Sequence, residues 1–131
     1  MNEIADIETI RRDADEGDAE AQYQLFLEYS LAEGDVPMDA REAAKWRRRA
    51  AENGHARAQF CMGQLYRDTN GVPQNFLEAH KWFNLAAIAD SDFAETALEF
   101  RKKLEEKLTP ELIVEAQRMA LEFKPANAPK W

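Results

Sequence analysis

Apolar residues along this chain return at intervals of three and four, the spacing of a helix that buries one face. No segment alternates in the manner of a half-buried strand. Ile4, Ile7 and Ile10 open the series, followed by Ala21, Leu25 and Tyr29, then Ala43, Trp46 and Ala50. Ala58, Met62 and Tyr66 come next, then Ala79, Trp82, Phe83 and Ala86. The last stripes are Phe93, Ala97, Phe100 and Leu104, and Leu112, Ala116, Met119, Ala120 and Phe123. The pattern predicts seven helices and an all-α fold. The first spans about Glu3–Asp15, the second Ala19–Ala32, the third Ala40–Asn53, the sixth Phe93–Lys107, and the last begins at Pro110 and runs to about Phe123.

Breakers and caps fall between these stripes. Gly17, Gly34-Asp35-Val36-Pro37, Asn53-Gly54 and Asn70-Gly71-Val72-Pro73 mark turns. Asp18, Asp39 and Asn75 offer side-chain acceptors to the exposed N–H groups of helix starts, and Asp90-Ser91-Asp92 offers another. Thr109-Pro110 reads as an N-cap followed by proline at the first helical position.

Two stretches repeat each other. Asp18–Gly54 and His55–Asp90 align once Asp35 is dropped, and thirteen residues then coincide: Ala, Ala, Gln, Tyr, Gly, Val, Pro, Glu, Ala, Lys, Trp, Ala, Ala. A period of this length is that of a stacked supersecondary unit that cannot bury its apolar face alone. The reading is one domain over 1–123. Residues 1–17 form a capping helix, 18–54 and 55–90 the repeats, 91–123 a closing hairpin, and 124–131 an extended tail.

The repeated pattern Ala-x-Ala-Gln-x-x-Leu-x-x-x-Tyr, Gly-x-Val-Pro, then Ala-x-x-Trp-x-x-x-Ala-Ala resembles the SEL-one-like repeat family of tetratricopeptide-like α-solenoids. Ala19–Tyr23, His55–Phe60, Gly71–Asn75 and Ala79–Ala87 carry the match. The resemblance implies a short right-handed α-solenoid of antiparallel helix pairs and a bacterial protein-interaction or adaptor role. Repeat one departs from the family twice. Phe26 stands where the family favours Gly, as Gly63 does, and Glu28 stands where Leu65 fits. The first pair is then splayed, or Phe26 reaches a neighbouring helix.

With the inward stripes assigned, a second stripe is left on the first helix of each repeat. It comprises Glu20, Tyr23, Leu27 and Ser30, and one period on Arg57, Phe60, Gln64 and Arg67. In tetratricopeptide-like stacks the equivalent stripe lines a concave groove. Tyr23 and Phe60 as anchors beside Arg57 and Arg67 as donors suit a peptide or partner helix. The same two rings also suit plain packing between repeats, and both readings stand here.

Charge narrows the partner. The chain carries a formal net charge of −8, which argues against nonspecific binding to nucleic acid or anionic lipid. Acids crowd Glu3–Glu20, and bases crowd Arg41–Arg57. The basic run is either a solvated helix face or a patch for an acidic surface. Self-assembly of the acidic front on the basic middle is therefore one alternative function.

A hydrolase acting on cell-wall compounds is a weaker alternative, raised by a few relatives. Those are rich in cysteine, whereas Cys61 is this chain's sole cysteine. It forms no internal disulfide and reads as a half-buried apolar side chain or a groove thiol. No Cys/His cluster, HExxH or Gly-rich phosphate loop is present, so no metal, cofactor or catalytic residue is assigned. His55 is expected in a packing or hydrogen-bonding role, and His80 faces outward by helical count. Trp46 and Trp82 are expected in the core. Trp131 is either a free end, folded back, or docked on a second copy. The start MNEIADIETI carries no basic segment leading into an apolar one, so a cytoplasmic protein is expected.

Overall fold

The computed structural model describes residues 6–31, 39–68, 73–89 and 91–125. Among them are seven helices: α1 (Ile7–Asp15), α2 (Ala19–Leu31), α3 (Ala40–Glu52), α4 (Ala56–Arg67), α5 (Pro73–Ile88), α6 (Ala94–Glu105) and α7 (Pro110–Leu121). The chain divides into two compact units. Unit 1 holds α1–α3 together with Pro125, and unit 2 is Ala56–Lys124 with α4–α7.

In unit 1 local chemistry sets the helix boundaries. Asp6, Asp18 and Asp39 each accept from backbone N–H groups of the following turn, at Thr9, Ala21, and Arg41 with Glu42. Gly17 and Gly54 follow α1 and α3 with φ of 100° and 96°, the left-handed conformation that glycine adopts without steric cost. Ala14, Ala21, Leu25 and Trp46 form the buried core, and Ile7, Ile10, Phe26 and Tyr29 pack on it. Gln22 is buried with them. Its amide donates to the Ala14 carbonyl at 2.9 Å and accepts from the Asn53 amide at 2.9 Å. The glutamine shared by both repeats thus ties the ends of α1 and α3, because a buried amide must find partners.

In unit 2, α5 packs against α4, α6 and α7. Phe60, Ala79, Phe83, Ala86, Ala97 and Leu104 form its core. Gly63 permits the α4–α5 approach. A Cβ there would lie 2.5 Å from the Phe83 ring, inside the distance real carbons tolerate. Thr109 caps α7 through its hydroxyl, with Pro110 in the first turn, and Trp82 meets Phe123 edge-on at 5.8 Å between centroids.

Several sequence expectations shift. α5 begins at Pro73, so Asn75 lies inside the helix rather than capping it. Proline has no N–H of its own to leave unsatisfied and its fixed φ suits the first helical position, so the helix begins three residues earlier. Within the segment expected to offer a cap before the sixth helix, Ser91 accepts from the Phe93 N–H, Phe93 itself is the N-cap of α6, and Asp90 lies outside the described residues. His80 does not face outward: it is fully buried on α5. A helix covered from three sides has no solvent face at that position. α1 starts at Ile7, and Glu3 to Ala5, the loop after Leu31 and Trp131 lie outside the described residues.

Candidate functional site

The two stripes read from the sequence are best taken one unit at a time. On α2, Glu20 is exposed and lies 2.8 Å from His55 Nε2. Tyr23 stacks on the same imidazole, with centroids 4.3 Å apart and planes 16° from parallel, and tilts against Phe26 at 5.6 Å. Leu27 and Ser30 are half-buried further along. His55, at the turn after α3, therefore fixes the ring and the carboxylate together.

On α4 the stripe splits. Arg57, Gln64 and Arg67 reach the surface or its edge, but Phe60 is only 7% exposed. It packs on Phe83, Phe93 and Phe100 at centroid distances of 5.6, 5.7 and 5.0 Å. Phe60 is thus a core residue and not the surface anchor the spacing suggested. Phe93 at the cap of α6 and Phe100 within it, both outside the repeated segments, close over it.

That aromatic layer carries the cations. The Arg57 guanidinium lies 4.4 Å from the Phe93 centroid, and that of Arg67 lies 5.1 Å from Phe100. Such contacts are worth about 0.5–1 kcal/mol at exposed sites and hold the donors in place. Arg67 also donates to Asp68 at 2.8 Å, which holds that carboxyl below its usual range. Arg57 and Arg67 are ten positions apart on one helix, about 15 Å along its axis.

The basic run over α3 is largely engaged within unit 1. Lys45 pairs with Glu42 at 3.0 Å and lies 4.7 Å from the Trp46 centroid. Arg47 and Arg49 lie 5.5 Å and 5.1 Å from the Phe26 and Trp46 centroids. These cations are braced by acids and rings of their own helix and of α2. Cys61 is half-buried on α4, and Glu95 and Glu99 face solvent. Among the described residues no group of three or more His, Cys, Asp or Glu could hold a metal ion. No helix among them is long and apolar enough to cross a membrane.

Sequence reasoning missed two features of unit 2. His80 Nε2 lies 2.7 Å from Glu105, and Arg101 donates to Asn84 at 2.6 Å. The carboxylate only accepts, so Nε2 carries the hydrogen and the unpartnered Nδ1 is a bare lone pair. Burial pushes the His80 pKa down, against the opposing pull of Glu105. The second is a hollow lined by Arg67, Phe100, Lys103, Leu104 and Lys107. Its α6 residues recur at helical spacing, so the stripe was present in the sequence but outside the repeats.

These helix pairs and their shared residues have known counterparts. The Sel1 repeat model matches residues 19–55 and 56–91, more than half the chain, and the protein belongs to the Sel1 repeat family. The chitin synthase regulator SKT5 of Saccharomyces cerevisiae is 39% identical over 72 residues, covering 54% of this chain and 10% of that protein. The crystal structure of c5321, described as a protective antigen of uropathogenic Escherichia coli displaying an SLR fold, matches with a TM-score of 0.70 and 31% identity. That match covers 89% of this chain and 24% of the other. The chain thus spans about a tenth and a quarter of these two relatives. The fold is all-α, of the α-solenoid class built from antiparallel helix pairs.

Proposed function

We propose that this protein is a noncatalytic adaptor that binds a protein or peptide through the first-helix stripes of its repeats. In unit 1 the surface is Glu20, Tyr23 and Leu27, and in unit 2 it is Arg57, Gln64 and Arg67, with Phe60 as the layer beneath. The observation that carries the reading is the pair of guanidiniums, Arg57 and Arg67, laid over Phe93 and Phe100. Donors already ordered lose less freedom on binding, so they suit recognition. Two similar proteins are described as a regulator and an antigen, and a regulatory role is consistent with binding. The lone Cys61 is consistent with work in a reducing cytoplasm, which fractionation of the tagged protein tests: recovery in an oxidising compartment contradicts it.

The experiment is photo-crosslinking in native lysate, with the crosslinker placed at Tyr23 or Gln64 and products read by mass spectrometry. A specific protein joined from either position supports the adaptor. Products confined to copies of this chain contradict it and favour the second reading, a self-assembling module. That reading draws on the acid-lined hollow of Asp13, Glu16 and Asp18 in unit 1, opposite in sign to the cations of unit 2. Salt-dependent mass in light scattering is its signature.

A further inference from the structure

The hollow on unit 2 narrows the chemistry of the partner. It has a volume of about 290 Å³, at the lower end of ligand cavities and enough for one large side chain. Its walls are Phe100 and Leu104 of α6, with Leu104 only 3% exposed. Its rim is cationic. Lys103 and Lys107 lie one turn apart on α6, both exposed, and Arg67 closes the rim from α4. Phe100, Lys103, Leu104 and Lys107 follow the three- and four-residue steps of one helix face, so apolar floor and charged rim alternate on a single stripe. No ion pair is formed by Lys103 or Lys107 among the described residues, whereas Arg67 shares its charge with Asp68. Of the two acids between these lysines, Glu105 is turned to His80 and Arg101, and Glu106 is exposed and outside the lining of the hollow. In a chain of net charge −8, three cations thus rim an apolar recess with no acid among its lining residues.

We propose that this recess docks an acidic segment of a partner protein, one apolar side chain seated on Phe100 and Leu104 and flanking carboxylates paired with Lys103, Lys107 and Arg67. The proposal rests on the adaptor reading and names the partner's chemistry. The anchor supplies desolvated contact area, and the carboxylates supply orientation and a faster encounter. An apolar segment without acids leaves the rim unpaired, and an acidic one without an anchor meets cations that stay hydrated at the surface.

The test uses the whole chain and three fluorescein-labelled peptides read by anisotropy. The probe is Asp-Glu-Leu-Asp-Glu. One control replaces the acids by their amides, Asn-Gln-Leu-Asn-Gln, and the other replaces the anchor, Asp-Glu-Ser-Asp-Glu. The probe is expected to bind at low salt and weaken as salt rises, with each control at least about tenfold weaker. Lys103→Glu/Lys107→Glu is expected to weaken the probe by about tenfold or more while circular dichroism stays native. Lys124→Gln, exposed after α7 and outside the lining of the hollow, is expected to leave probe binding unchanged. Absence of probe binding, equal binding of a control, an unchanged Lys103→Glu/Lys107→Glu variant, or saturation by the chain's own dimer would each overturn the proposal. If any of these occurs while crosslinks from Tyr23 or Gln64 still capture a protein, the adaptor reading survives without this site. If the crosslinks are empty as well, both fall.

Discussion

In unit 2 the ring between the paired helices stands on the second helix: Phe83 of α5 lies against Gly63 of α4. In unit 1 the equivalent positions are exchanged in size. Phe26 occupies the place of Gly63 on α2, Arg47 occupies the place of Phe83 on α3, and the guanidinium lies 5.5 Å from the ring centroid. One repeat template therefore supports two fillings of the same contact. The consequence reaches the surface. Phe83 joins Phe60 and Phe100 in an aromatic layer that α6 completes, and Arg57 and Arg67 lie on the outer rings of that layer. Among the described residues of unit 1 no such layer lies under the stripe, and Tyr23 is held by His55 instead.

The largest effect expected from breaking this contrast is at Gly63. Gly63→Ala places a methyl against a buried ring and should cost about 1–3 kcal/mol by overpacking. Phe26→Ala in unit 1 removes a half-buried ring without a clash and should cost about 2 kcal/mol, less than a fully buried ring. Chemical denaturation of both variants compares them. Equal stability of Gly63→Ala and wild type would mean that the ring moves freely and the close approach is incidental.

The second contrast is His80, whose counterpart in repeat one is the exposed Ala44. Its folded pKa is depressed by burial, so the fold holds it neutral while the unfolded chain takes up a proton near the ordinary value of 6.5. Stability from this group is full above that value and falls as pH drops below it toward the lower folded value. Arg101 beside it opposes protonation and Glu105 favours it. Denaturation midpoints above and below that range should diverge for wild type and less so for His80→Gln. Parallel pH profiles would contradict a neutral buried imidazole.

A smaller effect is expected at the caps. Asp39→Ala removes the acceptor for Arg41 and Glu42 N–H groups and should cost about 1 kcal/mol, as should Thr109→Ala in unit 2. Thermal melts of the two variants check this. Loss of cooperativity in either would show that the cap does more than end a helix.

The helices and their inward residues were legible because period and punctuation agree: Leu25, Trp46, Met62, Trp82 and Phe83 are all buried as the spacing requires. The site was less legible. Phe60 and Tyr23 occupy the same repeat position, yet one is covered and the other stacks on a turn histidine. The cause is Phe93, at the cap of α6, and Phe100 within it, which lie outside the repeats and reach Phe60 only through tertiary packing. His80 was misjudged for the same reason, since helical count cannot tell how many neighbours cover a helix. Gly63 and Phe26 were flagged by the family pattern, but that Arg47 replaces Phe83 beneath them follows only from the aligned pairs.

The central claim is that recognition is strongest on the cationic row that unit 2 lays over its aromatic layer. Affinity capture from native lysate tests it most directly, with wild type beside Arg57→Glu/Arg67→Glu and Tyr23→Ala, all shown folded by circular dichroism. The account predicts a partner held by wild type, lost by Arg57→Glu/Arg67→Glu and reduced by Tyr23→Ala. A partner retained in full by Arg57→Glu/Arg67→Glu would contradict it.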